Sequence, residues 1–384
     1  VFNKVISRKN SGCFKHDGLK TVYGRDDIVP LWVADMDFAV APVITDAIAR
    51  RMQHPIYGYN LIQDEFYQAA ISWQKNRHDF DIAKGHIIAV PSLMTALAIV
   101  VLTQTTEEDH ILIQTPVYPP FFSSVTGHNR KLLTNELKRK DGYYEIDWED
   151  FEAKAKFAKM FILCNPHNPV GRVFTFDEIS RMNDICAKYN VIIFSDEIHG
   201  DVVYAPSQHF PIGKLGYQRV ITGISPAKSF NLAGMATAIM HTLDSEIAAQ
   251  LNELNRGLHT FMGNSFGLAA FTAAFAEGGE WLDQLTAYLK GNRDYLGEFM
   301  ASELPQIKVR DCEGTYLAWL DCSALEMTDE EMSKFFIDKA RVALNPGTSF
   351  GKEGSGFMRL NFATPRVVLE EGLSRIKNSI REIL

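Results

Sequence analysis

The chain has 384 residues, 46% of them hydrophobic, which allows either one large enzyme or about two or three compact units with a sizeable core. Its 39 basic and 47 acidic residues give a net charge of −8, without the basic excess that nucleic-acid binding demands. No apolar run approaches the roughly 18 to 20 residues of a membrane helix, and the opening Val1-Phe2-Asn3-Lys4-Val5 has no apolar core with a cleavage site, so no secretory signal is expected. Five scattered cysteines (Cys13, Cys164, Cys186, Cys312, Cys322) make no C-x-x-C pair. They read as reduced thiols of a cytoplasmic protein rather than a disulfide frame or a zinc site.

Residues 1–30 mix charges with glycine and read as an arm around something larger. In Leu31-Trp32-Val33-Ala34-Asp35-Met36-Asp37-Phe38 the Asp-x-Asp suggests a metal. No further ligand lies at the right spacing, so a segment at a domain junction is the better reading. Pro42 to Arg51 fits a helix, broken by His54-Pro55-Ile56-Tyr57-Gly58-Tyr59-Asn60; the two tyrosines of this loop suit either an interface or packing with their tips in water.

From residue 86 strands and helices alternate, as in a mostly parallel sheet covered on both faces. Predicted strands are His86 to Val90, His110 to Gln114, Met160 to Cys164, Val191 to Phe194, Val220 to Ile224 and Ala236 to His241. An apolar helix, Leu93 to Thr103, follows Pro91-Ser92, and Thr175-Phe176-Asp177-Glu178 forms a capping box for another. The last hundred residues change character. Lys308 to Asp321 alternates like half-exposed strands, Thr328 opens a capped helix, Gly356 to Phe362 is a strand, and Leu369, Leu373, Ile376 and Ile380 line a terminal helix. A second, smaller α+β unit is therefore expected.

Ligands of open α/β sheets collect at the carboxyl ends of the strands. The polar residues there are Ser92, Tyr118, Asn168, Asp196, His199, Ser225 and Lys228. Lys228, in Ser225-Pro226-Ala227-Lys228, is a lysine among apolar neighbours. It is either a loop residue reaching water or a desolvated amine able to form a Schiff base with an aldehyde such as that of pyridoxal phosphate. Asp196 ends an apolar strand as a structural carboxylate or as the anion a protonated pyridine nitrogen needs. Asn168 serves a turn or donates to a phenolic oxygen, and Tyr118 is core or stacks on a ring. Ser92 with the amides of Leu93 and Met94 caps a helix or holds a phosphate, which Ser225 also reaches. Arg359, in an apolar strand, is a structural ion pair or a clamp for a carboxylate.

Taken together, Tyr57-Gly58-Tyr59, Asn168 in NPHNPVGR, Asp196 in DEIH, Lys228 in SPAKSFN and Arg359 in MRLNFA resemble a fold-type I pyridoxal phosphate enzyme of the aminotransferase class I/II superfamily. The spacings agree, 28 residues from Asn168 to Asp196 and 32 from Asp196 to Lys228. WVADMDF, YGYN, SDEIHGD and SPAKSFNLAGM resemble its MalY/PatB branch, the cystathionine β-lyase-like C–S lyases.

The resemblance implies an α/β aspartate aminotransferase-like fold: a large domain over residues 48–284 with a mostly parallel seven-stranded sheet, and a small α+β domain from residues 1–47 and 285–384. It implies that Lys228 bonds the cofactor, Asp196 pairs with the pyridinium, and Asn168 approaches the ring oxygen, with Tyr118 stacking on the ring. Ser225 and the Leu93 and Met94 amides would hold the phosphate, and Arg359, with Tyr118 and Asn168, would bind the substrate carboxylate end. Tyr59 would reach the neighbouring subunit's phosphate in a homodimer. Two departures stand out: His199 replaces a tyrosine of many relatives, and Ala236 replaces a phosphate-binding arginine. The expected reaction is α,β-elimination from L-cystathionine or L-cysteine to pyruvate, ammonia and a thiol. An aminotransferase on the same scaffold and a non-catalytic regulator are the rivals, and the lack of any G-x-G-x-x-G after a strand sets a nicotinamide dehydrogenase aside.

Overall fold

All six predicted strands of the central region form, and a seventh joins them. The computed structural model describes residues 1–383. The strands are β1 (Ile87–Val90), β2 (His110–Thr115), β3 (Lys131–Glu136), β4 (Ala158–Cys164), β5 (Ile192–Asp196), β6 (Val220–Ile224) and β7 (Ala238–Thr242). They pair in the order β1-β7-β6-β5-β4-β2-β3. Only β7 runs against its neighbours, pairing Ile239 with Ala89 on one side and Ile224 on the other. β3, which the sequence reading omitted, is the edge strand and mostly half-exposed. An edge strand with one wet face need not be apolar, so it carries no continuous hydrophobic run.

Helices cover the sheet. α1 (Pro42–Met52) and α2 (Asp64–His78) pack against the later Ser265–Glu277 helix, and α3 (Leu93–Gln104) lies under the apolar face of the central strands. Ser92 caps α3 by accepting from the Thr95 N–H, and the predicted capping box of Thr175 and Glu178 opens the helix Phe176–Lys188. Among the described residues no helix is long and apolar enough to cross a membrane.

The C-terminal unit is a four-stranded antiparallel sheet, β8 (Lys308–Val309), β9 (Leu317–Asp321), β10 (Asn345–Pro346) and β11 (Phe357–Asn361), ordered β8-β9-β11-β10. The half-exposed alternation expected over Lys308 to Asp321 is overturned for β9, whose five residues are all buried. Ala318 and Leu320 on one face pack into one core while Trp319 on the other packs into a second, stacked on Phe357, so neither side of the strand meets water. The terminal helix Arg366–Arg381 buries Leu369, Leu373, Ile376 and Ile380 as its spacing predicts. The arm returns as a short strand, Val29–Pro30, parallel to Val342–Ala343, which leads residues 31–38 across the carboxyl ends of the large sheet's strands toward Lys228.

Candidate active site

The carboxyl ends of β1, β2, β4, β5 and β6 converge on one cavity of about 380 Å³, closed by the arm and by β11. Ser92, Leu93 and Met94 line it from the start of α3, Tyr118 from beyond β2, and Asn168 from beyond β4. Asp196, His199, Ser225, Lys228 and Arg359 complete the predicted set. Tyr59 does not join them: it stands 93% exposed on its loop, away from the cavity lining.

Lys228 lies in a single helical turn, Pro226–Ser229, rather than the loop the sequence suggested. Ser225 caps that turn, accepting from the Ala227 N–H at 3.1 Å and donating to the Thr237 carbonyl at 2.9 Å, so its proton is already engaged. The Lys228 Nζ donates to the Ala34 carbonyl at 2.6 Å. Burial lowers the amine to a pKa of about 8, helped by the Arg359 charge and opposed by Asp35 and Asp196. Asp196 moves the other way. Burial raises its carboxyl to about 7 against the Ile198 N–H, which donates at 3.1 Å, and the Lys228 charge. The amine and the acid that the sequence reading paired thus share one cavity and feel each other's charge.

Arg359 is a buried cation whose partners are all neutral. It donates to the Asn168 side-chain oxygen at 3.0 Å, the Trp32 carbonyl at 3.0 Å and the Asn345 side-chain oxygen at 2.7 Å, and its Nε has no partner. Burial lowers its pKa to about 10. No carboxylate of the described residues pairs with it, which removes the structural ion pair as its explanation. With its oxygen turned to Arg359, Asn168 lines the cavity with an amide nitrogen that makes no hydrogen bond among the described residues. His199 is buried, with Nδ1 unpartnered, and desolvation with the Lys228 and Arg359 charges keeps it neutral. Burial likewise raises the Tyr118 phenol.

Sequence reasoning missed the arm's contribution. Trp32 and Ala34 line the cavity through backbone carbonyls, which any residue supplies, so no side-chain signal marks them. Asn345 comes from the two-residue strand β10, too short to leave a pattern, and Tyr316, whose hydroxyl donates to the same Ala34 carbonyl at 3.1 Å, from the position just before β9. Asp35 and Asp37 are held by cations instead of serving a metal: Arg8 reaches both at 2.7 and 2.8 Å, and the fully buried Lys15 reaches Asp37 at 2.7 Å.

The donor set fits pyridoxal phosphate. A lysine whose pKa burial lowers suits its aldehyde, a buried carboxylate with a single hydrogen bond suits a pyridinium, and the Asn168 amide suits a phenolic oxygen. The unpaired Leu93 and Met94 N–H groups at the start of the 12-residue α3 suit a phosphate. At position 236, the alanine has left-handed backbone, φ 46°, and brings no cation to the cavity, leaving the phosphate to amides and hydroxyls.

The chain matches the family described as aminotransferase class I and II over residues 26–376. It belongs to that family. Cystathionine beta-lyase PatB of Bacillus subtilis (strain 168) is 36% identical over 386 residues, covering 99% of this chain and 99% of that one. A PLP-bound protein from Clostridium difficile 630, provisionally called an aminotransferase, superposes with a TM-score of 0.97 at 41% identity over 99% of both chains. The PLP-bound C-S lyase from Staphylococcus hominis does so with a TM-score of 0.92 at 32% identity, covering 99% of this chain and 98% of that one. Within the aminotransferase class I and II family, then, this chain resembles lyases by sequence and structure over nearly its whole length.

Proposed function

We propose that this family member is a pyridoxal phosphate-dependent carbon–sulfur β-lyase, which eliminates a thiol from L-cystathionine, L-cysteine or a related amino acid and yields pyruvate and ammonia. The observation that carries it is the buried Arg359 cation, unmatched by any carboxylate among the described residues, in the same cavity as Lys228 and Asp196. When bound, the cofactor supplies an aldehyde for the substrate amine and a ring that takes up the electron pair left at Cα. Arg359 holds the α-carboxylate by charge-assisted hydrogen bonds, which orients the amino acid. Asp196, as the anion, keeps a proton on the ring nitrogen. Lys228, an amine of pKa about 8, is neutral in enough molecules near neutral pH to take the Cα proton, and the ammonium so formed returns a proton to the departing sulfur. The released enamine hydrolyses in water. Asn168 and Tyr118 steady the ring's oxygen side and face.

The relatives named as lyases favour elimination over amino transfer, and Ala236, by leaving the cavity without a second anchoring cation, points the same way. The test is pyruvate release from L-cystathionine without an added keto acid. Lys228→Ala is expected to abolish it together with the cofactor's visible absorbance while the far-ultraviolet circular dichroism is retained. A coloured, active Lys228→Ala protein, or strict dependence on a keto acid, overturns the reading.

We further propose a homodimer in which Tyr59 completes the neighbour's phosphate site. Support comes from the loop around it, where Ile56, Tyr57, Tyr59 and Leu61 are 67%, 55%, 93% and 76% exposed, an apolar surface suited to cover by a second copy. Light scattering at twice the chain mass is expected, and a monomer with full cofactor affinity refutes it. The division into a large domain at residues 48–284 and a small one at 1–47 with 285–384 follows the same reading; limited proteolysis near residues 48 and 285 tests it.

A further inference from the structure

Residues 31–38 have no regular secondary structure, yet they wall the cavity between Lys228 and Arg359. A buried backbone outside helix or sheet must find hydrogen-bond partners elsewhere. Besides backbone partners and Arg8, the segment is held by two side chains that follow the two site residues in sequence. Asn361, two positions after Arg359 and fully buried, donates to the Val33 and Asp35 carbonyls, both at 2.6 Å, while its own oxygen accepts from the Ala363 N–H. Asn231, three positions after Lys228, accepts from the Met36 N–H at 2.9 Å and donates to the Met36 and Phe38 carbonyls at 2.9 and 3.2 Å. Its φ of 58° is the left-handed conformation that asparagine tolerates better than most residues. The two acceptors of Asn361 bracket Ala34, whose carbonyl meets Lys228, and begin one residue after Trp32, whose carbonyl meets Arg359, while Asn231 holds the stretch that follows directly.

Resting on the proposed function above, we infer that Asn231 and Asn361 are positioning residues: by clamping residues 33–38 from two sides they set the carbonyls that aim the Lys228 amine and the Arg359 guanidinium, coupling the two through one segment. The rival explanation is that the asparagines merely anchor the arm. Arg8 and Lys15 already anchor it through Asp35 and Asp37, so anchoring alone leaves the placement of both clamps beside the site residues without a reason.

The test uses the full chain stripped of cofactor and then reloaded. The rate of pyridoxal phosphate uptake against pH reports the amine, because only the neutral form attacks an aldehyde. Asn231→Gly keeps the left-handed backbone and removes the clamp; it is expected to move the midpoint of that profile down by about half a pH unit or more, since the amine loses its fixed acceptor but stays desolvated. Asn361→Ser is expected to raise KM for L-cystathionine by about fivefold or more with a smaller change in kcat. The double variant is expected to fall short of the product of the single effects, as sites acting through one segment do. Asn231→Asp, which keeps the acceptor for the Met36 N–H, is expected to lie between wild type and Asn231→Gly.

A wild-type midpoint in Asn231→Gly and a wild-type KM in Asn361→Ser, whatever their melting temperatures, overturn the inference. Should Asn361→Ser not fold, the Asn231→Gly profile decides alone. Wild-type protein that takes up no pyridoxal phosphate overturns the proposed function and this inference with it, an outcome distinct from variants that load like wild type.

Discussion

Replacing Arg359 with methionine separates what the residue does for the fold from what it does for the substrate. Burial lowers its pKa from 12.5 to about 10, which corresponds to about 3 kcal/mol spent keeping the guanidinium charged in the folded protein. Methionine removes that cost and keeps most of the side-chain volume. The acceptors left behind, on Asn168, Trp32 and Asn345, border the cavity, where water replaces the lost donors. Stability of the cofactor-free protein is therefore expected to hold steady or to rise by up to about 3 kcal/mol. The substrate fares differently. Its carboxylate loses a desolvated, charge-assisted partner, a loss of about 3 to 5 kcal/mol for one half of a buried pair, so kcat/KM should fall by roughly two to four orders of magnitude. Because the carboxylate is gripped before and during the reaction, most of the loss should appear in KM. Urea unfolding and pyruvate release over a range of L-cystathionine concentrations measure the two sides. A variant that unfolds several kcal/mol more easily, or whose kcat/KM stays within about fivefold of wild type, refutes the assignment of Arg359 to the substrate.

Asp196→Asn tests the acid. An Asp raised to about 7 in the folded chain and near 3.9 unfolded binds its proton more tightly when folded, so its contribution is largest below about pH 4 and is lost as pH rises to about 7, up to about 4 kcal/mol. Urea midpoints of the cofactor-free wild type should decline relative to the asparagine variant across that window, and parallel curves would contradict the shift. Lys15→Met removes one partner of a buried ion pair but leaves Asp37 with Arg8 at 2.8 Å, so a cost near the lower limit for such breaks, about 3 kcal/mol, is expected in urea unfolding, and less than about 1 kcal/mol would show that Arg8 suffices.

Which parts of this site the sequence reveals follows from what each part asks of a residue. A carboxylate at the end of an apolar strand, a lysine among small residues and an arginine in a buried strand are each expensive, and expensive residues stand out one at a time. The rule that strand ends gather ligands then brings Ser92, Tyr118, Asn168, Asp196, His199, Ser225 and Lys228 together from the sequence alone. The arm escaped because its work is done by carbonyls at Trp32 and Ala34, and a carbonyl looks the same under every side chain. Asp35 and Asp37 resemble a metal site in one dimension because their counter-charges, Arg8 and Lys15, lie more than 20 residues upstream. Strand ends slipped by one or two positions, and β3 was missed, where the apolar period gives way to an edge. The burial of β9 on both faces depends on two cores that only the three-dimensional packing defines.

The site's charges also explain why lysine and arginine are held apart yet answer to each other. Burial drives Lys228, Asp196, Arg359 and His199 all toward their neutral forms, and the first three are each one partner short of a complete ion pair. Under the proposed function a pyridinium would satisfy Asp196 and a substrate carboxylate would satisfy Arg359, so each binding event would return part of the desolvation cost at one end of the cavity. Screening of Arg359 by that carboxylate would relieve one influence that lowers the Lys228 pKa, while pairing of Asp196 with a pyridinium would relieve one that raises it, so the two binding events pull the amine in opposite directions. Substrates without a carboxylate would forgo the clamp, and selection for α-amino acids follows from the guanidinium.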